Sequence, residues 1–270
     1  MLRLLNIEFH KLRYSKSTKV LTLIYFILPL FIALLASIDF NFIGFNIHVA
    51  DQGIFNFPYI WHFNSFIISY LKLFLAIVIV SMMSNEYSNR TLKQNLIDGM
   101  SKKEFILSKF YTVLAFSAAS TVFVFLLSMI LGLSFSDYTE FSIIFSELEF
   151  LLAYFIKLVG FFSFCMFLGI LVKRSAFALG FLFVWWIIEK IVYLVVRFKI
   201  THTESATDSV MQFFPIEATY NVLKQPFTRI SIVQTAANKL QTDVITDYAV
   251  HWYSVLIVLV WTTIFVWGSY

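Results

Sequence analysis

The sequence predicts an all-α integral membrane protein: an N-terminal amphipathic interfacial helix and six transmembrane helices, with both termini cytoplasmic. Three observations lead there. Of 270 residues, 60% are hydrophobic and only 13% are charged, about half the charged share of a soluble domain. The apolar residues collect into six runs near the roughly 20 residues that cross a bilayer as a helix. These runs are continuous rather than alternating, which selects helices over barrel strands. Lysine and arginine gather in alternate connections, the pattern of cytoplasmic loops.

Taken in order, Leu2, Leu5, Phe9 and Leu12 recur at helical spacing, with Arg3, Asn6, His10 and Arg13 between them. Residues 1–19 therefore read as an elbow helix lying in the inner interface, the alternative being a frayed basic tail. The first run, 20–38, follows a long basic stretch and has the length of a full span, so it is expected to stay in place rather than be cleaved as a signal peptide. Residues 39–62 are rich in aromatics; Phe40, Phe42, Phe45, Phe55, Phe57, Tyr59 and Trp61 suit the headgroup layer. Further spans are expected at 63–83, 105–133, 148–172, 176–196 and 249–267. Lys173-Arg174 makes a short basic turn. The segment 197–248 is too long for a plain turn; Pro215 and Pro226 interrupt it, and Ile230, Val233, Ala237, Leu240 and Val244 then follow a helical stripe. No repeat or low-complexity linker divides the chain, so residues 1–270 read as a single membrane domain.

With the N-terminus inside, twelve lysines and arginines stand against four acids on the cytoplasmic side, and five against eleven on the other. The reversed orientation breaks the positive-inside rule. The basic residues lie at membrane edges rather than on a face interleaved with stacking aromatics, which argues against a nucleic-acid partner. Cys165 is the single cysteine, excludes an intrachain disulfide, and reads as a small buried apolar filler. The five histidines have no metal-ligand spacing, and no arrangement of nucleophile and base can be argued, so no catalytic or metal site is assigned.

The most informative stretch is 85–104. Leu92, Leu96 and Met100 fall at i, i+4 and i+8 on one face of a short helix, and Gly99 suits the left-handed residue that ends it. Ser101-Lys102-Lys103-Glu104 reads as a capping box opening the next helix, with Met100 and Phe105 at the staple positions. A short helix held between two spans can dock into a groove on a soluble partner, through Arg90, Thr91, Leu92, Lys93, Leu96, Ile97 and Met100. It can equally be an interfacial helix resting on headgroups.

Lys72, Lys157, Glu189 and Lys190 fall inside predicted spans, where charge is costly and faces protein or water. Lys72, Lys157 and Glu189 lie at a similar level, roughly 12–15 Å from the outer helix ends. A bridge from Glu189 to Lys72 or Lys157 is expected, either as a register-fixing ion pair or as part of a polar transport path.

The 85–104 stretch resembles the corresponding loop of permease subunits of type 2 ATP-binding-cassette (ABC) exporters. Those loops carry a Glu, a Thr-Leu pair, a further Leu, a turn, a Ser-Arg-like helix start and a Lys at the base of the third span. Here Glu86, Thr91, Leu92, Leu96, Ser101 and Lys109 stand in that order. The chain departs at Arg90, where a Gly often precedes the Thr, and at Lys102, where Arg is common. The elbow, the six spans and the long last outer segment extend the resemblance over the whole length. It implies an ABC-type ATPase subunit docked on this loop and a second permease half, identical or related. It implies a bacterial inner membrane, and an outer hairpin around Phe213-Phe214-Pro215. It also implies a transport path near the first, second and fifth spans. No G-x-x-x-x-G-K-[ST] motif is present, so no cofactor is expected in this chain, and ATP and Mg would bind the partner ATPase. Two other readings are a structural or assembly component of an envelope machine built on the same fold, and a membrane enzyme acting on lipid. The second requires an acid or metal cluster that the sequence does not offer.

Overall fold

A computed structural model describes residues 2–36, 40–42, 45–47, 53–230, 233–235 and 247–270. Helix α1 (Leu2–Tyr14) meets α2 (Lys16–Ala36) at Ser15. The Ser15 hydroxyl accepts from Thr18 N at 3.3 Å, satisfying an amide that the first turn of α2 leaves free. Helix α2 continues through Pro29. An antiparallel ladder, β1 (Phe40–Phe42) with β2 (Phe45–Ile47), pairs Phe40 with Ile47 and Phe42 with Phe45.

Helices α3 (Tyr59–Tyr70) and α4 (Lys72–Ser88) replace the single second run of the sequence reading. They meet at Leu71 with a bend of 47°. Neither Pro nor Gly marks the break. Leu71 N bonds to Ile68 O and Phe74 N to Leu71 O, so the ladder shifts locally to the tighter i→i+3 pattern. Helix α5 (Thr91–Ile97) leads to α6 (Lys102–Phe135), and the short α7 (Phe141–Ile144) to α8 (Glu149–Val172). Helix α9 (Ser175–Val196) runs on into a π turn, Arg197–Thr201. Two short helices, α10 (Glu204–Met211) and α11 (Pro215–Asn221), then turn about Gln212–Phe214 before the last helix, α12 (Trp252–Gly268). Ala237, Leu240 and Val244 of the expected stripe lie outside the described residues.

The fold is helical almost throughout. Four segments are long and apolar enough to cross a membrane: α2, α6, α7 with α8, and α9 with its π extension. The bent α3–α4 pair makes a fifth if counted as one span, and α12 is apolar but shorter, at 17 residues.

Helix α8 is the central post. Most of its side chains are buried, whereas α2 and α9 turn most of theirs outward. Close approach is bought by small residues. A Cβ on Gly160 would lie 2.5 Å from Val258 of α12, and one on Gly169 would lie 2.8 Å from the Met83 Cβ of α4. Small residues serve this purpose between membrane helices, where packing rather than a hydrophobic drive holds the pair. A hydroxyl triangle adds polar glue. Tyr154 on α8 meets Tyr25 of α2 and Ser120 of α6, each at 2.7 Å, and Tyr25 also bonds Ser120.

The aromatics assigned to the headgroup layer are partly reassigned. Phe55, Phe57, Tyr59 and Trp61 are buried in the protein core. Trp61 stacks on Phe125 and donates to Ile144 O at 2.8 Å, so a protein carbonyl takes the indole N–H that the interface was expected to satisfy. The side chains of Phe40, Phe42 and Phe45 lie outside the described residues. Beside this cluster Arg229 makes a two-pronged bridge to Glu147, both contacts at 3.0 Å.

Candidate functional site

The chemistry concentrates at two places, the connection around α5 and a cavity at the α3–α4 bend. At the first, α4 runs out at Ser88, and Arg90 takes a left-handed conformation, φ 58°. That turns the chain sharply into α5. The helix ends in a turn closed by Gly99 at φ +93°, a conformation that costs a residue without a Cβ little. Ser101 then caps α6 with the full reciprocal box: its hydroxyl accepts from Glu104 N at 3.1 Å, and the Glu104 carboxylate accepts from Ser101 N at 2.9 Å. The staple residue Phe105 is buried, and Met100 packs on the core.

Helix α5 is tied down on one side. Leu92 packs against the core, Thr91 and Leu96 are half-buried, and Arg90, Lys93 and Gln94 are exposed. Ile97 is 84% exposed. The outward ridge is therefore Lys93 with Ile97, and Leu92 belongs to the face that anchors the helix.

Beneath α5, three residues named in the sequence resemblance, Glu86, Thr91 and Lys109, join Glu8 and Lys11 in a cluster that sequence reasoning missed. Lys109 of α6, fully buried, donates to Glu8 of α1 and to Glu86 of α4, both at 2.5 Å. Lys11 of α1 reaches Glu86 at 2.8 Å. The other Glu86 oxygen accepts from the Thr91 hydroxyl at 2.5 Å. One carboxylate near the end of α4 thus collects donors from α1, α5 and α6. The cluster balances two carboxylates against two ammonium groups, the condition for burying ions at tolerable cost. It borders a cavity of about 370 Å³ lined by Glu8, Lys11, Ser15, Asn85, Glu86 and Thr91. The signal was in the sequence. Glu8 falls three residues after Leu5 and four before Leu12, on the apolar stripe itself. Phe9, assigned to that stripe, is instead 45% exposed.

At the second place the expected bridge is absent. Glu189 pairs with neither Lys72 nor Lys157 among the described residues. Its carboxylate accepts from Ile216 N at 3.1 Å, Glu217 N at 2.9 Å and the Trp185 indole at 2.7 Å. It has turned to the free amides that open α11, which attract a carboxylate more cheaply than a distant lysine can. Lys190 instead bridges Glu217 at 2.8 Å. Lys72, Lys157 and Lys190 converge on the ring of Tyr220, at 5.1, 5.4 and 5.5 Å from its centre.

Among known proteins, a family model described as "ABC-2 family transporter protein" matches residues 4–189. No match is found among curated proteins or among solved structures.

Proposed function

The chain belongs to the ABC-2 family of transporters, as a membrane-spanning permease subunit, and from that premise we propose that it serves an ATP-driven exporter whose ATPase is a separate chain. The ATPase, with its ATP and Mg, docks on the 85–104 loop at the outward side of α5, next to exposed Arg90 and half-buried Thr91 and Leu96. Ile97 and Lys93 make the outward contact, while Leu92 and Met100 hold α5 on the core. A second permease half, the same chain or a related one, completes the transporter in a bacterial inner membrane. Both termini are cytoplasmic, α1 lies in the inner interface, and α12 is the sixth span, at the short end of the range of about 17–25 residues.

The observation that carries this reading is the Glu86 cluster. A short exposed helix could simply rest on headgroups. Here α5 is bonded through Thr91 to a carboxylate that also grips α1 and α6. A push on α5 is therefore delivered to three other helices through short, charge-assisted bonds rather than dissipated in a loop. The test is a mild-detergent pull-down of the tagged chain from its native membrane. Recovery of a soluble ATPase, lost on Ile97→Asp with the chain still folded, is the expected result. Absence of any ATPase from an intact, abundant preparation would overturn the proposal.

A further inference from the structure

A cavity of about 530 Å³ opens beside the α3–α4 bend, walled by Ser69, Lys72, Phe161, Leu182, Trp186 and Tyr220 among others. Its lining is almost wholly apolar, and Lys72 is the one charged residue in it. Lys72 is only 5% exposed, and its ammonium has no hydrogen-bond partner. It rests over the Phe161 ring at 4.1 Å and the Tyr220 ring at 5.1 Å. Lys157, 1% exposed, sits on the same Tyr220 ring at 5.4 Å. The carboxylates nearby are already engaged: Glu189 by the α11 amides and Trp185, Glu217 by Lys190. Two buried lysines therefore share one aromatic ring, and neither meets a carboxylate among the described residues. Ring faces offset part of that cost, but an unpaired ammonium in an apolar site still favours an anion strongly.

We infer that this cavity binds an amphiphile with one compact anionic head, a carboxylate or phosphate monoester, and a flexible hydrocarbon chain. The head sits on Lys72, and the chain runs along Leu182 and Trp186. A neutral amphiphile fills the apolar volume but leaves Lys72 unpaired. A bulky polar head finds too few polar groups in the cavity to meet it. The inference deepens the permease reading, since it names the class of molecule this interior takes, yet binding itself requires no ATPase.

The test uses the purified full chain in nonionic detergent with dibrominated stearate as probe, because bromine quenches tryptophan on contact and Trp186 lines the cavity. Saturable quenching is expected. Trp186→Phe should abolish its saturable part, and Lys72→Met should weaken it by about tenfold or more, a loss of the order of 1.4 kcal/mol. Dibrominated methyl stearate, which is neutral, should bind wild type and Lys72→Met alike. If Lys72→Met fails to fold, competition in the wild type decides: hexadecyl phosphate should displace the probe at a concentration about tenfold or more below that needed for hexadecanol. Equal affinity for acid and ester, or saturable quenching that survives Trp186→Phe, overturns the proposal. Native mass spectrometry separates the sources. A phosphatidic acid or fatty acid carried by the wild type and missing from Lys72→Met identifies a bilayer lipid; a lipid-free chain that binds hexadecyl phosphate identifies a free amphiphile. Recovery of an ATPase without anion selectivity would leave the permease reading standing and sink this one.

Discussion

At the scale of single residues, Glu86 and Lys109 set the energetics of the cluster beneath α5. Each is buried, and each meets two or more partners at hydrogen-bond distance. Removing one member strands a charge, which costs about 3–5 kcal/mol, whereas replacing the whole group by neutral residues costs far less. Lys109→Met should therefore lower thermal stability in detergent sharply. Adding Glu8→Gln and Glu86→Gln to Lys109→Met should recover much of the loss, because only half-exposed Lys11 remains and it can turn to water. A triple variant no more stable than the single one would contradict this account. Tyr154→Phe takes one hydroxyl from the triangle with Tyr25 and Ser120. Interhelical hydrogen bonds in membranes contribute about 0.6 kcal/mol on average and up to about 1.7, so a small but measurable fall in unfolding midpoint is expected.

At the scale of elements, legibility followed the range of the interaction. The Ser101–Glu104 box and the Gly99 turn were readable because their partners lie within three or four residues. The α3–α4 bend was not, since no Pro or Gly marks it and only the bonds from Leu71 N to Ile68 O and from Phe74 N to Leu71 O reveal it. Glu189 was read as an acid inside a span that faces protein or water, and it is buried, but its partners include amides of α11, across 27 positions of sequence, which no local pattern encodes. Arg90 is the instructive case. The resemblance flagged it as a departure from glycine, and it adopts the left-handed geometry that glycine takes without strain. A non-glycine residue there stores about 1–2 kcal/mol. Arg90→Gly should raise the unfolding midpoint modestly while leaving α5 in place, as judged by amide exchange at 91–97. Ser101→Ala should do the reverse, costing about 1 kcal/mol and speeding exchange of the amides at 102–104.

At the scale of the whole molecule, the composition, the run lengths and the sorting of charge carried the membrane class, and most runs became helices within a few residues of their expected ends. The order of packing was not legible, because apolar runs look alike whether they meet lipid or protein. What distinguishes α8 is a pair of glycines set against Val258 and Met83. Gly160→Leu should push α12 away and make the purified chain sensitive to protease near its C-terminal end, while Gly180→Leu, which has open space around its Cβ position, should not. The same arrangement has a consequence for biogenesis. Helix α8 leaves the ribosome long before α12, so its Gly160 face and the buried Lys157 on the same helix must wait in the insertion machinery or against lipid until α12 is made. Nascent chains stopped short of residue 252 should be held by membrane chaperones or destroyed by quality-control proteases, and the final helix should act as the release signal for the whole domain.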